Sequence, residues 1–251
     1  MIEVLSTWVV QNAVIFCRVG ATLMVLPGFS SARVPVQVRL FLALALSLAI
    51  APMLPPGAAP PTVAQPLAFG RAVITESVVG VVLGLQVRFV FEALHFVATL
   101  LAQSIGYAGI GGPSISDDAE QGAAVVSLVT LVATTLLFAT NLHIRMLMVL
   151  ADSYSLLPIA EPLLPQPSLF MLVHRLGDSL LLGLRLASPL VILSVLVNLC
   201  IALINKVSPA IPSFFIAQPV LLILGLLLFM IAAPTFFDEF IGSLAAWIDR
   251  I

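Results

Sequence analysis

Four titratable side chains lie in one long apolar stretch of the sequence: Glu76, Arg88, Glu92 and His95. Arg88 and Glu92 are four residues apart, so on a helix they share one face and neutralise each other. We place Glu76, twelve residues before Arg88, on roughly the same face, and His95 three residues after Glu92 extends the pattern. This polar stripe indicates either a proton or ion path, or else polar contacts between helices or a helix that lies outside the hydrocarbon. We favour the second reading because intramembrane polar residues usually face partners.

Two glycines occur in the same stretch as this stripe. Gly80 and Gly84 form a G-x-x-x-G pattern, which places both on one helix face. Small residues at that spacing let a second helix approach closely. The spacing therefore predicts a helix–helix contact at this face.

Other charged residues stand alone inside or at the edges of apolar runs. Arg18, Arg71, Arg145 and Arg185 are of this kind. We expect their guanidinium groups to reach a membrane interface while the alkyl stems lie along apolar surface. Asp178, two helical turns before Arg185, is a candidate partner for that arginine.

Motifs typical of enzymes are absent from the sequence. It contains no H-E-x-x-H zinc motif, no G-x-S-x-G nucleophile elbow and no G-x-x-x-x-G-K-[ST] phosphate loop. The three histidines are not spaced as metal ligands, and Cys17 and Cys200 are isolated within apolar runs. We therefore expect a protein that is not an enzyme and that carries no catalytic site, metal or cofactor.

The amino-acid composition indicates which class of protein contains these residues. Hydrophobic residues make up 61% of the 251 residues and charged residues only 9%, against roughly 45–50% and about 25% in soluble domains. A chain this apolar is not a soluble enzyme, a disordered regulator or a nucleic-acid binder, and its net charge of −2 comes with no basic run. We predict an integral membrane protein with several spans.

Apolar runs long enough to cross about 30 Å of hydrocarbon predict an all-α fold of six or seven helices arranged as long hairpins. The predicted segments are Leu5–Leu26, Arg39–Met53, Leu67–Gly106, Ala123–Leu142, Gly177–Ile204 and Phe214–Ala233. The third is twice as long as a span requires, so it either turns back near Gln86–Arg88 or leaves the hydrocarbon. Four prolines between Pro158 and Pro167 indicate a connector, and the segment from Asn205 to Ser213 indicates a tight turn. We predict one domain, 1–251, with a Pro/Ala linker at 55–66, a glycine-rich loop at 106–122 and an amphipathic tail at 234–251.

The segment Leu26 to Arg39, which contains Val34-Pro35 and ends at a basic residue, resembles the N-terminal signature of a known family. The next apolar run ends in Ala51-Pro52 and Leu54-Pro55, as that signature does. On these residues the chain resembles the FliR family of flagellar export-gate proteins, called SctT in injectisomes.

Three further segments are similar to the same family in the same order along the chain. The first combines the E-x-x-x-G-x-x-x-G helix that starts at Glu76 with the R-x-x-x-E-A segment that starts at Arg88. The second is Asn141-Leu142-His143 together with the segment Asp152 to Pro158, and the third is Asn205 to Pro209. The resemblance covers nearly the whole chain.

The resemblance implies a fold and a role. It implies a fused FliP/FliQ-type subunit in the bacterial inner membrane and the flagellar basal body, in a pore with FliP-like and FliQ-like subunits and near an FlhB-like protein. Unfolded export substrates would pass through that pore. It implies that Tyr107, Ile110 and Ile115, in the loop after the central helix, help to close the pore. Pro35, Arg39 and Pro52 would be architectural, and Glu76, Gly80, Gly84, Arg88 and Glu92 would lie at subunit contacts.

Two other readings of the sequence stay open. An injectisome export-gate subunit of the SctT type is a variant of the same role. A self-contained permease for a small solute or ion is the main alternative, and the stripe formed by Glu76, Arg88, Glu92 and His95 is its best argument. A permease would be expected to carry a site near the membrane midplane between repeats, and the sequence shows no internal repeat.

Overall fold

The computed structural model describes residues 2–31, 34–54, 66–104, 120–159, 165–207 and 213–249. The predicted linker, apart from Pro66, and the loop residues Tyr107, Ile110 and Ile115 lie outside these ranges, as does most of the turn predicted at 205–213. The described residues form helices and no strand, which confirms the predicted all-α class. The helices are α1 (Ile2–Val25), α2 (Val36–Ile50), α3 (Pro66–Ser104), α4 (Glu120–Ala139), α5 (Leu142–Leu156), α6 (Pro165–Val207) and α7 (Ser213–Ile248), with a short 3₁₀ turn at Ala51–Met53.

Five of these helices, α1, α2, α3, α6 and α7, are long and apolar enough to cross a membrane. The pair α4 and α5 meets the same criterion only together, as one span broken at Thr140–Asn141, which gives six. Asn141 has a left-handed backbone (φ 58°), a conformation that ends a helix and that asparagine tolerates better than most residues. The predicted multi-pass architecture is confirmed: the described residues form seven α-helices, and five of them, or six spans if the bent pair counts as one, are long and apolar enough to cross a membrane.

Helix α3 is a single helix of 39 residues. A turn near Gln86–Arg88 was one of the two predicted outcomes, and it is wrong. After Pro66 at its first position the helix contains no proline or asparagine that would break it, and both Gln86 and Val87 are buried. At 1.5 Å per residue the helix is about 58 Å long, so part of it extends beyond a bilayer's hydrocarbon layer.

Prolines fall inside α6 and α7 without ending them. The predicted tail at 234–251 is not separate, because α7 runs through Pro219 and Pro234 to Ile248. In α6, Pro189 has no N–H to donate to the carbonyl of Arg185, and the Ser188 hydroxyl donates to that oxygen instead at 2.8 Å. Such side-chain replacement is how apolar helices tolerate proline.

The described residues belong to two compact units. Unit 1 comprises Met1–Val90, Phe138–Leu176 and Leu244–Ile251, and unit 2 comprises Phe91–Leu137 and Gly177–Ser243. In unit 1, Ile15, Val19 and Leu23 of α1 pack with Leu150 and Tyr154 of α5. In unit 2, a smaller cluster forms around Leu101 and Leu190, with Leu222, Leu228 and Phe229 packed against it.

Candidate functional site: a buried ionic cluster

The most distinctive polar feature of unit 1 is a charged cluster enclosed by three helices. Arg18 comes from α1, Glu76 from α3, and Ser153 and Tyr154 from α5. Arg18 is 1% exposed and Glu76 is fully buried. Both charges lie within stretches long and apolar enough to span a membrane, where an unpaired charge is costly. We call Arg18, Glu76, Ser153 and Tyr154 the ionic cluster.

Arg18 and Glu76 form a two-pronged ion pair. Arg18 Nε donates to Glu76 Oε2 at 2.6 Å, and Nη2 donates to Oε1 at 3.1 Å. Parallel bonds of this kind join a planar guanidinium to a carboxylate with both strength and fixed orientation. The pair therefore fixes how α1 and α3 lie against each other.

Helix α5 supplies the remaining contacts of the guanidinium. Nη1 donates to Ser153 Oγ at 3.1 Å, and Nη2 also donates to the backbone carbonyl of Leu157 at 2.9 Å. The Arg18 Cζ atom lies 4.0 Å from the centroid of the Tyr154 ring, a cation–π distance. Four of the five guanidinium N–H groups are thus used, and the aromatic face covers the cation.

This arrangement compensates for the cost of burying charge. Removing two ions from water costs several kcal/mol each, and their attraction offsets this only when the geometry is good and the other polar atoms are bonded. Here the net charge of the pair is zero and the guanidinium bonds to both neighbouring helices. Each charged group is thus held by another group of the chain, and the contacts of the cluster join α1, α3 and α5.

The two glycines predicted to permit a close approach do so beside the ionic cluster. A Cβ built on Gly80 would collide with the backbone oxygen of Arg18 and lie 2.9 Å from the Ala21 Cβ. A Cβ on Gly84 would lie 2.9 Å from the Val25 Cβ. The Thr22 hydroxyl donates to the Gly80 carbonyl at 3.0 Å, which ties the two backbones together.

The helix that approaches Gly80 and Gly84 is α1 of the same chain. The family resemblance implies that Glu76, Gly80 and Gly84 lie at contacts between subunits, whereas the structure places them at a contact inside the chain. The sequence pattern indicates close packing but carries no information on which chain supplies the second helix.

The predicted polar stripe does not form one face. Twelve residues are about 3.3 helical turns, so Arg88 is rotated by about 120° from Glu76. Glu76 is buried, whereas Arg88, Glu92 and His95 are exposed. The placement of Glu76 and Arg88 on a shared face is therefore wrong. That Arg88 and Glu92 lie at subunit contacts stays a prediction.

The three residues predicted to be architectural lie around the first hairpin. Arg39 Nε and Nη2 donate to the Val34 carbonyl at 3.2 and 2.9 Å, and Nη2 also donates to the Ser31 carbonyl at 3.1 Å. Pro35 precedes the first residue of α2, and its carbonyl accepts the N–H groups of Val38 and Arg39. Pro52 lies in the 3₁₀ turn that follows α2. Arg39 thus ties the connector to the start of α2.

The other arginines behave differently from Arg18. The expectation that Arg18 reaches an interface is wrong, because its guanidinium finds a carboxylate inside the helix bundle. Arg71, Arg145 and Arg185 are exposed, and Arg145 pairs with Asp249 at 3.5 Å. Arg185 pairs with Glu239 of α7 at 3.5 Å, rather than with the predicted Asp178.

The pairing of Arg18 with Glu76 was missed from the sequence. The residues are 58 positions apart, and helical periodicity relates only residues within a few turns. A signal was present: each is a charge deep in a different apolar run, and their signs are opposite. Pairing such isolated charges across runs would have found the ion pair, but not Ser153 or Tyr154.

Comparison with known proteins agrees with the sequence resemblance. The family described as bacterial export proteins, family 1, matches residues 9–246. A Caulobacter vibrioides protein named flagellar biosynthetic protein FliR is 28% identical over 242 residues, which cover 95% of this chain and 91% of that relative. The protein of the same name from Escherichia coli K12 is 31% identical over 222 residues, 86% of this chain and 82% of that relative. The chain belongs to the bacterial export proteins, family 1.

Proposed function

We propose that the chain is a non-enzymatic core subunit of a flagellar type III protein export gate in the bacterial inner membrane. It forms part of the pore together with FliP-like and FliQ-like subunits, next to an FlhB-like protein, and unfolded flagellar proteins pass through. Family membership and the name shared by the relatives support a flagellar export role. The relatives' name also favours the flagellar system over the injectisome.

One observation on α6 carries the proposal that other subunits surround the chain. The candidate span in α6 runs from Val173 to Val207, 35 residues, and within it an 18-residue window with a mean hydropathy of 2.5 is only 11% buried. Both ends are bare, since Val173 is 68% exposed and Val207 is 83% exposed. Neither water nor the rest of the described chain is a suitable neighbour for this surface.

A lipid bilayer cannot cover this stretch either. At 1.5 Å per residue it is about 52 Å long, whereas the hydrocarbon layer is about 30 Å thick. Fitting it would need a tilt of about 55°, and membrane helices tilt up to about 40°. Some of the exposed apolar surface therefore requires protein, and apolar helices of other subunits are the neighbours that match it.

The structure gives less support to the alternative function, a solute permease. The argument for a permease was the stripe from Glu76 to His95, and these side chains do not share a face. Glu76, the one buried member, is held by two bonds to Arg18. A carboxylate so engaged is a poor site for a passing ion or proton.

The proposal is tested by expressing the tagged chain with its FliP-like and FliQ-like subunits and extracting it in mild detergent. We expect one stable particle that contains all three proteins, and we expect a deletion strain to lose export of flagellar proteins until the chain is restored. A chain that purifies alone and moves solute across liposomes, with flux lost on Glu76→Gln, would contradict the proposal.

The pore-closing role of the loop stays a prediction within this proposal. Replacement of residues 106–121, which include Tyr107, Ile110 and Ile115, by a Gly/Ser linker is expected to raise ion conductance of the closed assembly. A hydrophobic constriction blocks ions by excluding water, and the linker would remove it. Unchanged conductance would contradict this role.

A further inference from the structure

We propose that a groove between α1 and α2 receives a helix of another subunit, and that this helix donates a hydrogen bond to Asn12. That the occupant belongs to another subunit rests on the proposed function. The groove lies within unit 1, and we call it the α1–α2 groove. Its walls include Trp8, Asn12 and Phe16 of α1 and Phe41, Leu44 and Leu48 of α2.

The groove exists because each of the two helices buries one face in the chain and leaves another exposed. Helix α2 buries Ala43 and Ile50 in the core of unit 1. On its groove side, Phe41, Leu44 and Leu48 are between 42% and 70% exposed. The space between the two helices measures about 630 Å³, within the range of roughly 300–1,000 Å³ that ligand sites occupy. The chain thus forms an apolar groove that its described residues do not fill.

Asn12 specifies the chemistry of the occupant. The residue lines the groove and is only 7% exposed. Its Nδ2 donates to the Trp8 carbonyl at 2.9 Å, but its buried Oδ1 has no hydrogen-bond partner among the described residues. A buried acceptor without a donor is costly, so the site favours a partner that supplies one. Because Oδ1 is enclosed, that donor has to insert among the side chains that border Asn12, as a side chain of a helix packed into the groove would.

The depth of Asn12 in the membrane disfavours lipid and water as the donor. Both α1 and α2 are long and apolar enough to cross a membrane. Arg39 Nη1 lies 3.8 Å from Met24 Sδ, and Asn12 is twelve residues before Met24, or about 18 Å along α1. If Arg39 marks one edge of the hydrocarbon layer, which is about 30 Å thick, Asn12 lies near its middle. Acyl chains offer no donor there, whereas Ser, Thr, Asn and Gln side chains of a neighbouring helix do.

A photo-crosslinking amino acid placed on α2 in the native bacterial membrane identifies the occupant. It replaces Leu48, in the groove, or Ala49 as the matched control. Ala49 is exposed at nearly the same depth, but it points about 100° away around the helix and does not line the groove. We expect the Leu48 probe to join an apolar helix of a second membrane polypeptide, with Ser, Thr, Asn or Gln within one turn of the attachment point. The Ala49 probe should not join that helix.

Two neighbouring amides on α1 test the hydrogen bond itself. Asn12→Leu should lower retention of the second polypeptide about three- to twentyfold in a detergent titration, the range expected for one interhelical hydrogen bond. The isolated chain should unfold at the same or a higher denaturant concentration, because the change removes a buried acceptor that lacks a donor. Gln11→Leu alters the adjacent amide, which does not line the groove, and should leave retention unchanged.

Three results would overturn the inference while leaving the export-gate role intact. The first is equal retention with Asn12→Leu and wild type. The second is an Asn12→Leu variant that loses retention only because the isolated chain is itself destabilised. The third is a Leu48 probe that joins lipid, this chain, a second copy of it, or a helix without the expected polar side chain.

A different result would separate the groove from the proposed partners. If the joined helix carries the expected polar side chain but belongs to a protein unlike FliP or FliQ, the groove is supported and the proposed function is contradicted.

Discussion

The ionic cluster and the helices α6 and α7 differ in how far their side chains are buried within the chain. Around the cluster, the charged groups of Arg18 and Glu76 are enclosed and matched, and the α1 stretch Trp8–Val25 is 44% buried. The 18-residue apolar windows of α6 and α7 are 11% and 17% buried. The cluster region therefore packs within the chain, whereas the apolar windows of α6 and α7 are mostly exposed on the described chain.

Of the substitutions that test this difference, loss of one member of the ion pair should lower the free energy of unfolding most. Glu76→Met leaves the Arg18 cation buried without its carboxylate, and we expect the free energy of unfolding in detergent to fall by about 3–5 kcal/mol. The double variant Arg18→Met/Glu76→Met should recover most of the loss, because the two apolar side chains fill similar volumes. The measurement is a denaturant titration of the purified chain.

Arg185→Met is the matched control for that experiment, because the Arg185–Glu239 pair of α6 and α7 is exposed. We expect a change of less than about 1 kcal/mol. A loss equal to that of Glu76→Met would show that the two regions do not differ as described.

A glycine comparison should give the next largest effect. Gly80→Ala places a methyl group against the Arg18 carbonyl, which is backbone and cannot move aside, so we expect a loss of about 1–3 kcal/mol. Gly177→Ala in α6 meets open space, and removal of a mid-helix glycine should stabilise the chain by roughly 0.5–1 kcal/mol. Opposite signs in the same unfolding assay are the expected result, and equal losses would count against the close approach of α1 and α3.

These effects also show what the sequence could and could not predict. The number and type of elements followed from the apolar runs, because a bilayer sets the length of a span. The G-x-x-x-G pattern located the close approach at Gly80. The continuity of α3 did not follow from the sequence, because an apolar helix has the same composition whether lipid or protein contacts it. The partner of Glu76 did not follow either, because helical periodicity relates only residues within a few turns of one another.

Tyr154 allows the cation–π contact of the cluster to be separated from its hydrogen bond. Tyr154→Leu removes the ring over Arg18, and we expect a loss of about 2 kcal/mol. Tyr154→Phe keeps the ring and loses only the long 3.4 Å bond to the Ile15 carbonyl, so its loss should be smaller, within about 1 kcal/mol. Equal losses for the two variants would assign the effect to the hydroxyl.

The smallest effect is expected at the surface of unit 1. Arg145 and Asp249 form a pair whose side chains are 55% and 61% exposed. Arg145→Ala should change the free energy of unfolding by less than about 1 kcal/mol, and raising the salt concentration should reduce the difference further. A larger loss of unfolding free energy that does not depend on salt would mean that the surface pair and the enclosed pair contribute equally to stability.

The central claim is that protein, and not lipid alone, covers α6, and spin labels along that helix test it most directly. Single labels from Val173 to Val207, in a variant lacking Cys17 and Cys200, would report collisions with oxygen dissolved in the lipid of membranes that contain the assembled gate. We predict lipid contact over at most about 20 consecutive residues, the length that crosses the hydrocarbon layer, and shielding of the remaining apolar positions. Lipid contact along the whole stretch would contradict the account.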